Sequence, residues 1–177
     1  MSYQLANLEL ELIQGDIASQ EDIEAVVNDA NEEVRTGGGV AGALHSAAGP
    51  ELEKACRPLA PIKPGEAVIT SAFNLPNQYV IHTLGPVYGR DKPEDKLLAD
   101  CYKNSLKVAE ENEINSLAFP ALSTGAFGYP LKEAAEVSLK TIKEKAEDLD
   151  SVKKIRFVLY SSSDLKVYKD TAQKIFA

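Results

Sequence analysis

The run Ala25-Val26-Val27-Asn28-Asp29-Ala30-Asn31 leads through Glu32-Glu33-Val34-Arg35-Thr36 into Gly37-Gly38-Gly39, and then into Val40-Ala41-Gly42-Ala43-Leu44-His45-Ser46-Ala47-Ala48. Its first part predicts a short buried strand at Ala25–Val27 and the glycines a loop. The small apolar residues from Ala41 to Ala48 predict a helix packed closely under that loop. A strand feeding a helix through glycines is a building unit of a layered α/β sheet, so this stretch decides the fold class. It also carries chemistry. A helix start offers unpaired N–H groups and a partial positive charge, and glycine lets the backbone approach an anion. Ser123-Thr124-Gly125-Ala126-Phe127-Gly128, after the apolar Leu117-Ala118-Phe119, gives a second candidate loop. Two such loops predict a cradle for a phosphate-bearing ligand.

Strands and helices alternate along the rest of the chain. Leu8, Leu10 and Leu12 alternate with Glu9 and Glu11, predicting an edge strand charged on its open side. Asp16 follows at a turn, and Ser19-Gln20-Glu21-Asp22 predicts a short helix start. Helix resumes from Glu51 to Arg57, and Pro58, Pro61 and Pro64 mark a connection within the domain. Further strands are predicted at Ala67–Thr70, Tyr79–Thr83, Leu117–Phe119 and Ile155–Tyr160. Helical spacing covers 96–112 and 131–145, and Ser162-Ser163-Asp164 caps a last helix ending near Ile175. Ligands in such sheets sit at the C-terminal ends of strands, where both glycine loops emerge.

A chain of 177 residues, 44% hydrophobic and 26% charged, predicts one globular domain spanning 1–177. Its 27 acidic and 19 basic side chains give a net charge of −8, which argues against binding to nucleic-acid duplexes. A small anion held by backbone N–H groups is not excluded, since these carry no formal charge. Cys56 and Cys101 read as reduced packing residues, and His45 and His82 lie too far apart to suggest a metal site. No signal peptide or membrane span is apparent, so a cytoplasmic protein is the expectation.

Five pieces now stand in an order that resembles macrodomains, the ADP-ribose-binding family. They are Gly15-Asp16-Ile17, Val26-Val27-Asn28-Asp29-Ala30-Asn31, Gly37-Gly38-Gly39-Val40, Val80-Ile81-His82-Thr83-Leu84-Gly85-Pro86 and Ala118-Phe119-Pro120-Ala121-Leu122-Ser123-Thr124-Gly125. The resemblance covers the chain from about Leu8 to Phe176. It implies a three-layer α/β/α sandwich with a mixed six- or seven-stranded sheet, a cleft for ADP-ribose, no cofactor and a monomer.

Residue by residue, the resemblance implies that Asp16 accepts a hydrogen bond from the adenine amine, with the Ile17 backbone nearby. A carboxylate finds no equivalent donor at guanine O6, so it selects one base. Taken alone, Asp16 reads instead as an Asx-turn or helix cap. Asn31 would contact the distal ribose and position the reacting centre. Gly37, Gly38, Gly39 and Val40 would wrap that ribose and one phosphate. Ser123, Thr124, Gly125, Ala126 and Phe127 would give N–H groups to the diphosphate, with the Phe127 ring packing on the distal ribose. Tyr160 either lies against the adenine face, worth about 1 kcal/mol, or is a half-buried residue at a strand end. His82 reads as a core histidine and Arg35 as a solvated loop residue.

Two positions depart from the family pattern. Ala41 stands where one hydrolytic branch has an aspartate that helps activate water, and Asp29 stands where alanine is usual. The resemblance therefore implies hydrolysis of mono-ADP-ribose from proteins, or of O-acetyl-ADP-ribose, by a water that the ligand's own phosphate activates. His45 is a lesser candidate for base. A non-catalytic reader of ADP-ribosylated proteins and an ADP-ribose-1″-phosphate phosphatase are the alternatives. A Rossmann-type oxidoreductase is disfavoured because the three glycines are not G-x-G-x-x-G.

Overall fold

A computed structural model describes residues 1–177. Seven strands run in chain order as β1 (Ser2–Leu5), β2 (Leu8–Gln14), β3 (Ala25–Asp29), β4 (Ala67–Ser71), β5 (Tyr79–Thr83), β6 (Ser116–Phe119) and β7 (Lys154–Leu159). Five helices accompany them: α1 (Gly39–Ala48), α2 (Pro50–Cys56), α3 (Glu94–Glu111), α4 (Leu131–Lys145) and α5 (Ser162–Phe176). The strands form one sheet in the order β1-β2-β7-β6-β3-β5-β4. The inner pairs are parallel, while β1 on β2 and β4 on β5 are antiparallel. It is a mixed sheet of seven strands with helices on both faces.

Alternation along the strands splits the core in two. Ala25 and Val27 of β3 and Phe157 of β7 join the side chains of α3, α4 and α5. Val26 and Val158, one residue out of phase, join Leu44, Ala48, Leu52 and Cys56 of α1 and α2. A strand wetted on neither face needs both of its residue sets apolar, which is why β3 opens on the continuous hydrophobic run Ala25-Val26-Val27. None of the helices is long and apolar enough to cross a membrane.

Three local expectations are corrected. β2 is not an edge strand, because β1 pairs with it through Ser2↔Glu11 to Leu5↔Leu8. The four polar-flanked residues of β1 are too few for their period to stand out in the sequence. No helix starts over Ser19–Asp22; a 3-10 turn covers Ile17–Ser19 and ends there. Asp16 caps it, its Oδ1 accepting from Ala18 N–H at 2.9 Å. The first glycine-fed helix starts at Gly39, two residues before Ala41, so the loop's last glycine is already helical.

Candidate functional site

Parallel pairing brings four strand C-termini to one edge of the sheet in the order β2, β7, β6, β3. Each is followed by a segment singled out in the sequence. Gly15 and Asp16 follow β2, Tyr160 follows β7, the loop from Pro120 to Phe127 follows β6, and Ala30 and Asn31 follow β3. At about 4.8 Å per strand, this row extends on the order of 14 Å. A cleft of about 800 Å³ runs along it, lined by Asp16, Ile17, Asp29, Asn31, Gly37, Gly38, Gly39, Val40, Ala41, Thr124, Gly125, Ala126, Phe127, Tyr160 and Asp164 among others.

Two rows of backbone donors belong to residues that line this cleft. The first hydrogen bond of α1 runs from Gly42 N–H to Gly38 O at 3.1 Å, so the N–H groups before it have no partner inside the helix. On the second loop, Gly125, Ala126 and Phe127 give their N–H groups to no protein acceptor. The flanking bonds hold that loop in shape: Gly128 N–H donates to Gly125 O at 3.0 Å and Tyr129 N–H to Ser123 O at 2.9 Å. β6 and β3 are neighbours in the sheet, so the two donor rows stand side by side. No Lys, Arg or His lines the cleft, while Asp16, Asp29 and Asp164 do. Any anion held here is held by main-chain dipoles.

Side chains fix the frame. Asn31 closes its own turn, with Nδ2 donating to Arg35 O at 2.7 Å and Oδ1 accepting from Arg35 N–H at 3.1 Å. One amide hydrogen and one lone pair remain for a ligand. Asp16 caps its turn, as the cap reading expects, and it also lines the cleft. Behind it, buried Arg156 of β7 grips Asp22 with two bonds of 2.7 Å and Gln20 at 3.0 Å, tying the Asp16 loop to the sheet. The Arg156 hydrogen bond lowers the Asp22 carboxyl to about 2. Tyr160 stands at the rim, 90% exposed, which is far more open than a half-buried strand-end tyrosine. Phe127 is partly buried against the α1 side of the core.

Ser123 departs from its expected place. It is buried, its backbone is left-handed (φ 67°), and its N–H donates at 3.3 Å to Asp29 Oδ2 instead of opening into the cleft. A positive φ at this position turns Ser123 under the loop that follows it. His45 departs too. Ala41 reaches the cleft, but one turn later His45 is buried between α1 and the sheet, its ring 6.4 Å from that of His82. Burial lowers its basicity, which makes it a packing residue. His82 is a core histidine: Asn28 Nδ2 meets its Nδ1 at 3.0 Å and Thr70 Oγ1 its Nε2 at 3.0 Å. Arg35 is exposed. Sequence reasoning did not place Asp164 in the cleft; it read as a cap, a task that Ser161 performs by accepting from Asp164 N–H at 3.1 Å.

Comparison with known proteins gives consistent matches. The family model described as Macro domain matches residues 27–138. An O-acetyl-ADP-ribose deacetylase of Klebsiella pneumoniae is 44% identical over 164 residues, covering 90% of this chain and 93% of its own. The ADP-ribose glycohydrolase MACROD2 of Xenopus laevis is 43% identical over 165 residues, covering 92% of this chain and 39% of that longer protein. Among solved structures, a macrodomain of Oceanobacillus iheyensis with ADPR superposes with a TM-score of 0.95 at 36% identity, covering 99% of this chain and 98% of its own.

Proposed function

The chain belongs to the Macro domain family, and on that footing we propose that residues 1–177 act as one unit that binds ADP-ribose and hydrolyses it from its attachment. The carrying observation is the pair of adjoining backbone donor rows in a cleft without a basic side chain. A diphosphate fits that chemistry. Adenine lies at the Asp16 and Tyr160 end, the diphosphate against residues 124–127, and the distal ribose between Asn31, residues 37–40 and Phe127.

Substrates are mono-ADP-ribosylated proteins and O-acetyl-ADP-ribose, met in the cytoplasm by a monomer. Ala41 supplies no base, so a phosphate oxygen of the ligand holds the attacking water. Asn31 and the glycine loops hold the reacting end still, and catalysis rests on positioning and preformed dipoles. The test is calorimetry with ADP-ribose, followed by turnover of aspartate- or glutamate-linked mono-ADP-ribose. Wild type is expected to bind and cleave, and Asn31→Ala to lose turnover by roughly tenfold or more. Tight binding without cleavage supports the second reading, a non-catalytic reader, which the missing carboxylate at position 41 favours.

A further inference from the structure

Asp29 is the charged group that neither the family pattern nor the proposed chemistry uses. Phase along β3 sends its side chain to the same face as Ala25 and Val27, under the second glycine loop. Its Oδ2 accepts from Ser123 N–H at 3.3 Å, and its Oδ1 is enclosed with no hydrogen-bond partner. An ionised carboxylate has about four acceptor sites to fill, and here the protein fills one. β5 places Thr83 beside it. The titratable groups in electrostatic reach are the Cys101 thiol and Tyr102 hydroxyl of α3 and the Tyr168 hydroxyl of α5, all raised and neutral. No cation faces it, and on the cleft side Asp16 and Asp164 add only negative charge.

We propose that Asp29 positions the second glycine loop through Ser123, and that docking of an ADP-ribose diphosphate draws one proton from solvent onto its free Oδ1. This rests on the reading of the cleft as an ADP-ribose site. An anion arriving above an enclosed carboxylate with no countercharge raises the cost of keeping that carboxylate ionised. Protonation removes the repulsion, while the second oxygen keeps its bond to Ser123. Burial, offset in part by the Ser123 N–H, already raises the Asp29 carboxyl to about 7, so the group is divided between its two forms near neutrality. By linkage, affinity falls as pH rises past the free-state value. The diphosphate carries the same charge throughout this range.

Calorimetry of the full chain with ADP-ribose tests this, at about pH 6 to pH 9 in buffers of different ionisation heat. Wild type is expected to take up close to one proton per ligand near pH 8, and to weaken roughly thirty- to fiftyfold between pH 7 and pH 9. Asp29→Asn, which keeps an acceptor for Ser123, is expected to bind with no proton uptake and one affinity across the range. Asp29→Ala is expected to lose the uptake as well, with weaker binding at every pH because the loop loses its tie. Proton uptake equal in wild type and both variants overturns the inference and leaves the cleft reading intact. A wild type that binds no ADP-ribose at any pH overturns both.

Discussion

At the scale of single residues, the side chains of the cleft do two things each. Asp16 caps the Ile17–Ser19 turn and lines the cleft with its carboxylate. Asn31 ties its loop through Arg35 and keeps one donor and one acceptor in reserve. Asp16→Ala is expected to weaken ADP-ribose by about 1–3 kcal/mol, the range for stranding a polar partner. Calorimetry with ADP-ribose and its inosine counterpart separates the two roles. Wild type should prefer adenine, and the variant should lose most of that preference. An Asp16→Ala protein with an unchanged preference would remove the carboxylate from base selection. Ser123 was not legible in the sequence. A serine at the head of a glycine loop looks like a donor to a ligand, and only its left-handed backbone under Gly85 shows that it serves Asp29 instead.

At the scale of elements, the two loops are set by close backbone packing more than by polar contacts. Gly42 lies in α1, where alanine is ordinarily preferred by about 1 kcal/mol. A Cβ there would meet Gly37 O at 2.4 Å, a backbone atom that cannot swing aside. Gly42→Ala is therefore expected to push the first glycine loop outward and lower ADP-ribose affinity by roughly tenfold or more, while α1 keeps its helical signal. Circular dichroism and calorimetry on the same sample check both halves. A Cβ on Gly85 would come within 1.9 Å of Ser123 Oγ, so a second glycine seats the second loop. Strand and helix positions were legible because two periods, alternation in β2 and helical spacing in α3 and α4, carry strong apolar signals. Sheet order was not legible from those periods. That Asp16, Tyr160 and both glycine loops stand in one row follows from parallel pairing between strands far apart in sequence.

At the scale of the molecule, two buried groups titrate against each other. His82 is enclosed and neutral, its value lowered to about 3 by burial and by the neighbouring His45. Between that value and about 6.5 the unfolded chain binds a proton there and the native one does not, so acid lowers stability. Asp29 has the opposite sign. Between about 3.8 unfolded and about 7 folded, the native state holds the proton and the unfolded state does not, so acid raises stability. Each slope is about 1.4 kcal/mol per pH unit where it acts fully, and they overlap from about pH 4 to pH 6.5. The lowered His45 imidazole adds to the histidine side, so urea unfolding of wild type is expected to show some loss of stability with acid across that window, but less than Asp29→Asn shows. Asp29→Asn should expose the histidine slope, losing about 2 kcal/mol between pH 6 and pH 4.5. A flat profile in that variant would refute the compensation.

The cleft is lined by main-chain donors and no basic side chain, and that has a consequence for how such a site is found and how it is lost. Side-chain scanning by alanine deletes none of its principal donors, so a survey of that kind would pass over them. Only an imino acid, or replacement of an amide by an ester, removes a donor outright. The chain can drift widely in composition around the crevice and still keep its receptor, provided the two turns hold their shape.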